Sequence, residues 1–335
     1  MLQPIGMHLD DLQTFHVFAL QAQATNEALL AVAELRLLDY LDDGPAGAGA
    51  IAEQSGLNDA NVARVLRFLA AQQVIDCDTE QRYSHTARSR LLQENQSSLR
   101  FFRESMGAAR GMAECLKTGE PAFDCSFGKP VFEHLAENPE ARSYFGDLMT
   151  RTTAILEAFL FANHSFRAFA LAVDVGGSHG RLMTELLARY PESRGIVFDR
   201  PETAGQATTI ISGSPVADRI EAVGGDFFEA VPAGGDLYLL KQILHDWDDE
   251  ECVKILASIR TALAAHGRLA VIEFILPDAP EPHPGFAMDI QMMALSTGRE
   301  RTATEFEKLL EAAGFGIDRV TDNPYGPSVV EAVLR

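Results

Sequence analysis

Apolar residues in the first half of the chain recur at helical spacing, whereas beyond residue 170 they gather into short runs separated by helical segments. Residues 12–41 carry a helical stripe that ends at the turn DDGPAGAG. AIAEQSG at 50–56 reads as a short helix stopped by Gly56, and Asn58 is placed to cap a helix reaching Gln73. VIDCDTEQRYSHT then predicts a small β-hairpin with a polar turn. From Ser97 to about Arg167 the pattern is helical and rich in large apolar residues, including Phe101, Phe102, Met106, Met112, Phe145, Met149 and Phe159. Five apolar runs follow: LAVDVGG, GIVFDR, IEAVGGDFF, GDLYLLKQI and GRLAVIEFIL. Helical segments near 180–190, 202–212 and 249–265 lie between most of them, which is the alternation of a parallel α/β sheet. After a helix at 302–313, GIDRVTDN and SVVEAVLR flank a Pro/Gly turn and are expected to pair as an antiparallel hairpin. The Pro-rich loop PDAPEPHPG at 277–285 is expected on the surface.

Composition narrows the function classes. With 335 residues, 47% of them hydrophobic, the chain can bury a substantial core in one large or two ordinary domains. A formal charge of -20 repels nucleic-acid phosphates and anionic membrane surfaces, so neither is expected as a partner, and a small-molecule substrate fits better. Helix, turn, helix and hairpin in that order resemble a winged-helix module. DNA binding would need a basic recognition helix, yet residues 42–82 hold seven acids and only Arg64, Arg67 and Arg82 as bases. Cys77, Cys115, Cys125 and Cys252 show no metal-like or disulfide spacing, and no metal is expected. The start, MLQPIGMHLDDLQ, lacks the features of a signal peptide and no apolar run approaches a membrane span, so a soluble, cytoplasmic protein is expected.

The chemistry concentrates where strands end. His245 follows the run GDLYLLKQI and would stand at the carboxyl end of that strand, the edge at which open α/β sheets bind ligands; this makes it a candidate proton acceptor. The first strand ends in a glycine-rich turn, Asp174-Val-Gly-Gly-Ser-His-Gly180, whose small residues allow close approach of a ligand before a helix starts. A dinucleotide dehydrogenase shares such a turn, but its fingerprint is GxGxxG and this chain has GGxxG. Asp199, 25 residues after Asp174, can accept from ribose hydroxyls, and Asp226 with Phe227 can serve an adenine amino group and ring face. Together they imply an adenosine-bearing ligand.

In combination and in order, VDVGGSHG, the acid of FDRPE, GGDFF, LKQILHDWDDEECVKIL, LAVIEFILPD and GRERTATEFEKLLEAAGF resemble the S-adenosylmethionine-dependent O-methyltransferases with an N-terminal dimerisation domain. The likeness covers nearly the whole chain, because GEPAFDCSFGKPVFEHL also looks like the bacterial natural-product branch, which includes phenazine-type enzymes. It implies an α/β fold, a class I methyltransferase Rossmann-like sheet with a C-terminal antiparallel hairpin, preceded by a mainly α-helical winged-helix-like dimerisation domain. The implied division is 1–96 for dimerisation, 97–167 for a helical connector contributing to the substrate pocket, and 168–335 for the catalytic domain. The resemblance further implies S-adenosyl-L-methionine as cofactor, S-adenosyl-L-homocysteine as its product, a homodimer, and an aromatic small-molecule substrate of phenazine, anthracycline or naphthoate type.

By the same resemblance Gly176 and Gly177 meet the methionine end of the cofactor, Asp199 the ribose, Asp226 and Phe227 the adenine, Lys241 its polar groups and Thr153 its carboxylate end. His245 is the general base, Glu273 and Glu300 flank it, and Asp246 helps to position the substrate. Phe145, Met149, Met288, Gln291, Met292 and Leu295 fall near substrate-pocket positions, and the partner's first helix, around Phe15 and His16, is implied to close the pocket. The base assignment also follows from chemistry: a phenol of pKa ~10 is a poor nucleophile at neutral pH, and a histidine near ~6.5 can take its proton, with carboxylates fixing the tautomer. One departure stands out: Ser178 replaces a usual third glycine, and strain follows if that position needs a positive φ. The alternatives are an N-methyltransferase of a phenazine-like heteroaromatic, a branch that hydroxylates instead, and a winged-helix regulator.

Overall fold

A computed structural model describes residues 12–96, 99, 107, 108 and 111–335, with two compact units, one within 1–104 and one within 105–335. Phe101, Phe102, Met106 and the side chain of Phe15 lie outside the described residues.

The first unit holds helices α1 (Leu12–Glu34), α2 (Ala48–Ser55), α3 (Asp59–Ala71) and α4 (Ala87–Glu94) and strands β1 (Ala46–Gly47), β2 (Ile75–Cys77) and β3 (Arg82–His85). The helical stripe expected over 12–41 breaks at Arg36, which takes a left-handed φ of 53°, and resumes as a 3-10 turn at Leu37–Leu41. Asn58 caps α3 by accepting from the amide of Asn61, and Gly56 ends α2 at φ 71°. β2 and β3 form the antiparallel hairpin, and β1 joins them. Val32, Leu38, Leu41, Ile51, Leu66, Leu69 and Tyr83 close the core of this helix, helix, hairpin arrangement.

Among the described residues the second unit starts with helices α5 (Met112–Thr118), α6 (Ala122–Phe127), α7 (Val131–Glu137) and α8 (Pro139–Asn163). Asn138 starts α8 by accepting from the amide of Ala141, ahead of a proline at the first helical position. There follow β4 (Leu171–Val175), α9 (Arg181–Arg189), β5 (Arg194–Asp199), α10 (Pro201–Ile211), β6 (Ile220–Gly224), β7 (Leu237–Lys241), α11 (Asp249–Ala262), β8 (Arg268–Glu273), β9 (Ile275–Leu276), α12 (Pro284–Leu295), β10 (Arg301–Thr302), α13 (Ala303–Ala312), β11 (Phe315–Thr321) and β12 (Ser328–Leu334). Seven strands form one sheet in the order β11-β12-β8-β7-β4-β5-β6. β4 to β8 are parallel, and the C-terminal hairpin of β11 and β12 adds antiparallel to β8.

Both sheet faces are covered, which explains why the strands read as continuous apolar runs. Val173, Val175, Tyr238, Leu240, Leu269 and Val271 pack on one side with α11 and α13. Ala172, Leu237, Leu239, Ala270 and Ile272 pack on the other with α9 and α10. β4 pairs with β5 on one flank and β7 on the other, so the strand order reverses there. Open α/β sheets bind ligands outside the carboxyl ends at such a switch point, and the segments after β4, β5 and β7 leave the sheet at that edge.

Candidate active site

The turn after β4 is held from below. The amides of Gly176 and Gly177 donate to the Phe198 carbonyl at 2.8 and 3.2 Å, and the amide of Ser178 donates to Asp199 Oδ2 at 2.9 Å. Arg200 donates its amide to the other Asp199 oxygen at 2.8 Å. The glycines answer first to the protein's own packing: at Gly176 (φ 73°) a Cβ would meet Ile243 Cδ1 at 2.3 Å, and at Gly177 the Asp174 carboxylate at 2.8 Å. Ser178 does adopt a positive φ, 50°, so the strain foreseen for it is present. Asp226 spends one oxygen on the Phe228 amide at 2.8 Å. Thr153, buried on α8, donates its hydroxyl to the Met149 carbonyl at 2.7 Å.

Asp174 is a charge inside the apolar run LAVDV, and burial lifts its carboxyl to about 7 against the opposing charge of Lys241. Burial pulls Lys241 below the ordinary lysine range, with Asp174, Glu273 and Asp246 working the other way. The burial of Asp174 and its charge interaction with Lys241 are signalled along the chain only by an acid where an apolar residue is due.

His245 lies on a 3-10 turn, Leu244–Asp246, just past β7. The ring is enclosed, with 6% exposure for the residue against 1% for Glu273 and 3% for Glu300. Nδ1 stands 2.8 Å from Glu300 Oε1 and 3.9 Å from Glu273 Oε2, while Nε2 is 3.7 Å from Asp246 Oδ1. An ionised carboxylate only accepts, so the Glu300 contact assigns the proton on Nδ1 and leaves Nε2 as the exchanging atom. Glu273 Oε1 accepts from the amides of Ile243 and Leu244, at 2.9 and 2.8 Å, and so anchors the turn itself. Glu300 is anchored in turn, its amide donating to Asp289 of α12 at 2.9 Å. Gly298 admits no side chain, because a Cβ there would sit 2.0 Å from the His245 carbonyl.

The electrostatics of this group are lopsided. Burial alone would lower the imidazole, but the charges of Glu273 and Asp246, with the hydrogen bond and charge of Glu300, push it up to about 10. Burial raises Asp246 to about 6 although His245 pulls the other way, and burial with neighbouring Glu300 raises Glu273. The result is an imidazole with its proton affinity raised, beside Asp246 and Glu273, whose carboxyls burial also raises. His245, Glu273 and Glu300 offer ligand atoms within 4.8 Å of one another, and this is the one such group among the described residues.

Met288, Gln291, Met292 and Leu295 share one face of α12 at helical spacing; Met292 and Leu295 are buried, and Met288 and Gln291 half-buried. Phe145 and Met149 are half-buried on α8. An aromatic group not foreseen in the sequence lies beside the turn that carries His245: Trp247 stacks on Phe132 of α7 at 5.5 Å and meets Phe227 and Phe228 edge-on. The Arg200 guanidinium lies 5.6 Å from the Phe132 ring centroid and donates to the Phe132 carbonyl at 3.1 Å.

Residues 110–316 match the O-methyltransferase domain and residues 19–95 the O-methyltransferase dimerisation domain. Phenazine O-methyltransferase PhzM of Lysobacter antibioticus is 34% identical over 91% of this chain and 92% of its own length. O-methyltransferase SfmM3 of Streptomyces lavendulae is 36% identical over 94% and 98%. The phenazine-1-carboxylate N-methyltransferase of Pseudomonas aeruginosa is 32% identical over 89% and 90%. The crystal structure of LaPhzM superposes with a TM-score of 0.91 at 33% identity, covering 97% of this chain and all of that one. The O-methyltransferase NcsB1 from neocarzinostatin biosynthesis, solved with S-adenosyl-L-homocysteine and 1,4-dihydroxy-2-naphthoic acid, gives 0.81 at 28% identity, over 98% of this chain and 100% of that one. With the sheet, the glycine turn and the buried histidine in these positions, the chain belongs to the S-adenosylmethionine-dependent O-methyltransferases of the bacterial natural-product branch that carry a dimerisation domain.

Proposed function

We propose that the chain, as a cytoplasmic homodimer, methylates a hydroxyl of a polycyclic aromatic secondary metabolite of phenazine, anthracycline or naphthoate type, with His245 as the proton acceptor. The observation that carries this reading is the imidazole whose Nδ1 is tied to Glu300 at 2.8 Å and whose proton affinity reaches that of a phenol, about 10. Matched affinities make phenol with imidazole and phenolate with imidazolium nearly equal in energy, so the proton can pass to Nε2 as the oxygen gains its methyl group. The neutral imidazole is the competent form of a base, so activity should rise with pH toward the His245 midpoint and the acid limb of the profile reports it.

The residues fit S-adenosylmethionine, whose sulfonium supplies the transferable methyl group. The Asp199 carboxylate accepts from the amides of Ser178 and Arg200 and from the Thr203 side chain, and with about four lone-pair sites it keeps capacity for a ribose hydroxyl. Asp226 is exposed with one oxygen uncommitted to the Phe228 amide, next to the half-buried Phe227 ring, a pairing suited to adenine. Gly176 and Gly177 would take the methionine end, with Lys241 and Thr153 contributing polar contacts. Phe145, Met149, Met288, Gln291, Met292 and Leu295 would form the acceptor wall and Asp246 orient the hydroxyl, so that alignment adds to proton transfer.

Mass spectrometry of labelled-methyl incorporation into a panel of hydroxylated and amino polycyclic aromatics tests the reading. Methylation at oxygen, lost ~10²- to 10⁴-fold in His245→Ala, is expected. Methylation at nitrogen with His245→Ala unimpaired would overturn it in favour of the N-methylating alternative.

A further inference from the structure

The largest side chain that is wholly enclosed among the described residues is a charged one, Arg301 of β10, with 0% exposure. A guanidinium has no acceptor and keeps its proton, so burying it demands a partner for its donors. Nη1 donates to the Leu244 carbonyl and Nη2 to the Trp247 carbonyl, each at 2.9 Å. Nε and Nη2 both donate to Asp249 Oδ1, at 3.0 and 2.8 Å. Leu244 and Trp247 immediately precede and follow His245 and Asp246, so the planar fork bridges the turn that carries the imidazole. Glu300, the residue before it, receives the Nδ1 proton. Two consecutive residues thus hold the ring and the main chain beneath it.

We infer that Arg301 is a positioning residue for His245, clamping both carbonyls that bracket the 244–247 turn and so fixing the imidazole between Glu273 and Glu300. This rests on His245 being the base. Charge supports the same role: Arg301 opposes the burial and the Glu300 repulsion that raise Glu273, and Glu273 in turn is the strongest of the groups that raise His245. A lysine in this place would keep the charge but not the fork, since one ammonium cannot reach both carbonyls and Asp249 with the same geometry. Geometry and charge can therefore be removed separately.

Steady-state kinetics across pH on Arg301→Lys and Arg301→Met, with S-adenosylhomocysteine affinity and thermal melts as controls of the folded fraction, test the inference. Arg301→Lys should lose kcat by about tenfold or more, as displacement of a catalytic group does, with S-adenosylhomocysteine affinity within about threefold and the acid limb of the profile in place. Arg301→Met should lose as much and also move the acid limb to lower pH, because Glu273 then takes a proton more readily and raises His245 less. A wild-type kcat in Arg301→Lys overturns the clamp, as does a loss in both variants that the folded fraction accounts for with neither profile moved. Should Arg301→Met not fold, Asp249→Asn, which loosens the far side of the fork, is expected to give an intermediate kcat loss, and no loss would count against the clamp. If instead His245→Ala keeps full activity, it is the base assignment that fails, whatever Arg301 does.

Discussion

Glu300→Gln isolates one charge in the proton-handling group. The amide carbonyl can still accept from Nδ1, at the site where Glu300 Oε1 now stands 2.8 Å away, so the hydrogen bond survives and the negative charge does not. The rise of His245 from 6.5 to about 10 is worth about 5 kcal/mol, at about 1.4 kcal/mol for each tenfold step in proton affinity. Three carboxylates supply it, at 2.8, 3.7 and 3.9 Å from the ring nitrogens, after overcoming the cost of burial. An equal division gives roughly 1.5 to 2 kcal/mol apiece, within the ~4 kcal/mol that two charges 4 Å apart exchange at an effective dielectric of 20. Glu300→Gln should therefore bring the His245 midpoint down by about one pH unit and cut the high-pH plateau of kcat by up to about tenfold, since a weaker base takes the proton less readily. Imidazole-nitrogen NMR on histidine-labelled protein, with His245→Asn to assign the signal, reads the first, and the acid limb of kcat/KM reads it independently. A wild-type midpoint near 6.5, or a midpoint that Glu300→Gln leaves in place, would refute the account in which carboxylates set the basicity of this ring.

The same group fixes the pH dependence of stability. A histidine raised on folding contributes stability that is fully present below its unfolded value near 6.5 and is lost as pH rises through about 10. Urea unfolding of the wild type should therefore show a fall in stability between pH 7 and 10 that His245→Ala lacks; Asp246, raised to about 6, acts at lower pH, its contribution present below 3.8 and gone above 6. Parallel curves for the two proteins would sink this. Gly298→Ala, whose Cβ would stand 2.0 Å from the His245 carbonyl, should cost about 1–3 kcal/mol and on the order of 100-fold in kcat. Wild-type turnover in that variant would show that the turn can move without harm to the chemistry.

The strand pattern beyond residue 170 was legible because both sheet faces are buried, which leaves runs such as LYLL with no polar interruption. His245 was legible for the same reason, as a polar residue just past such a run. Glu273 and Glu300 could not be found by spacing, lying 28 and 55 residues further on; they reach the ring through the pairing of β7 with β8 and of β9 with β10, and only resemblance named them. Arg301 in GRERT looks like one more solvated charge until β10 carries it under the turn. Gly176 was read as clearance for a ligand, yet the atom it clears is a methyl of Ile243, brought across from the segment after β7 and invisible along the chain. Ser178 was read correctly, since the need for a left-handed residue belongs to the turn alone.

The place of β12 sets an order of events in synthesis. It is the final strand in sequence, yet it lies inside the sheet, paired with β11 on one side and β8 on the other, with Ser328 directly opposite Glu273. A chain emerging from the ribosome can assemble β4 to β7 around the glycine turn while β8 still presents a bare edge, the kind of edge that recruits foreign strands. The half of the sheet that carries the glycine turn is thus available early, and the half that shelters Glu273 is completed only once residues 328–334 have been made.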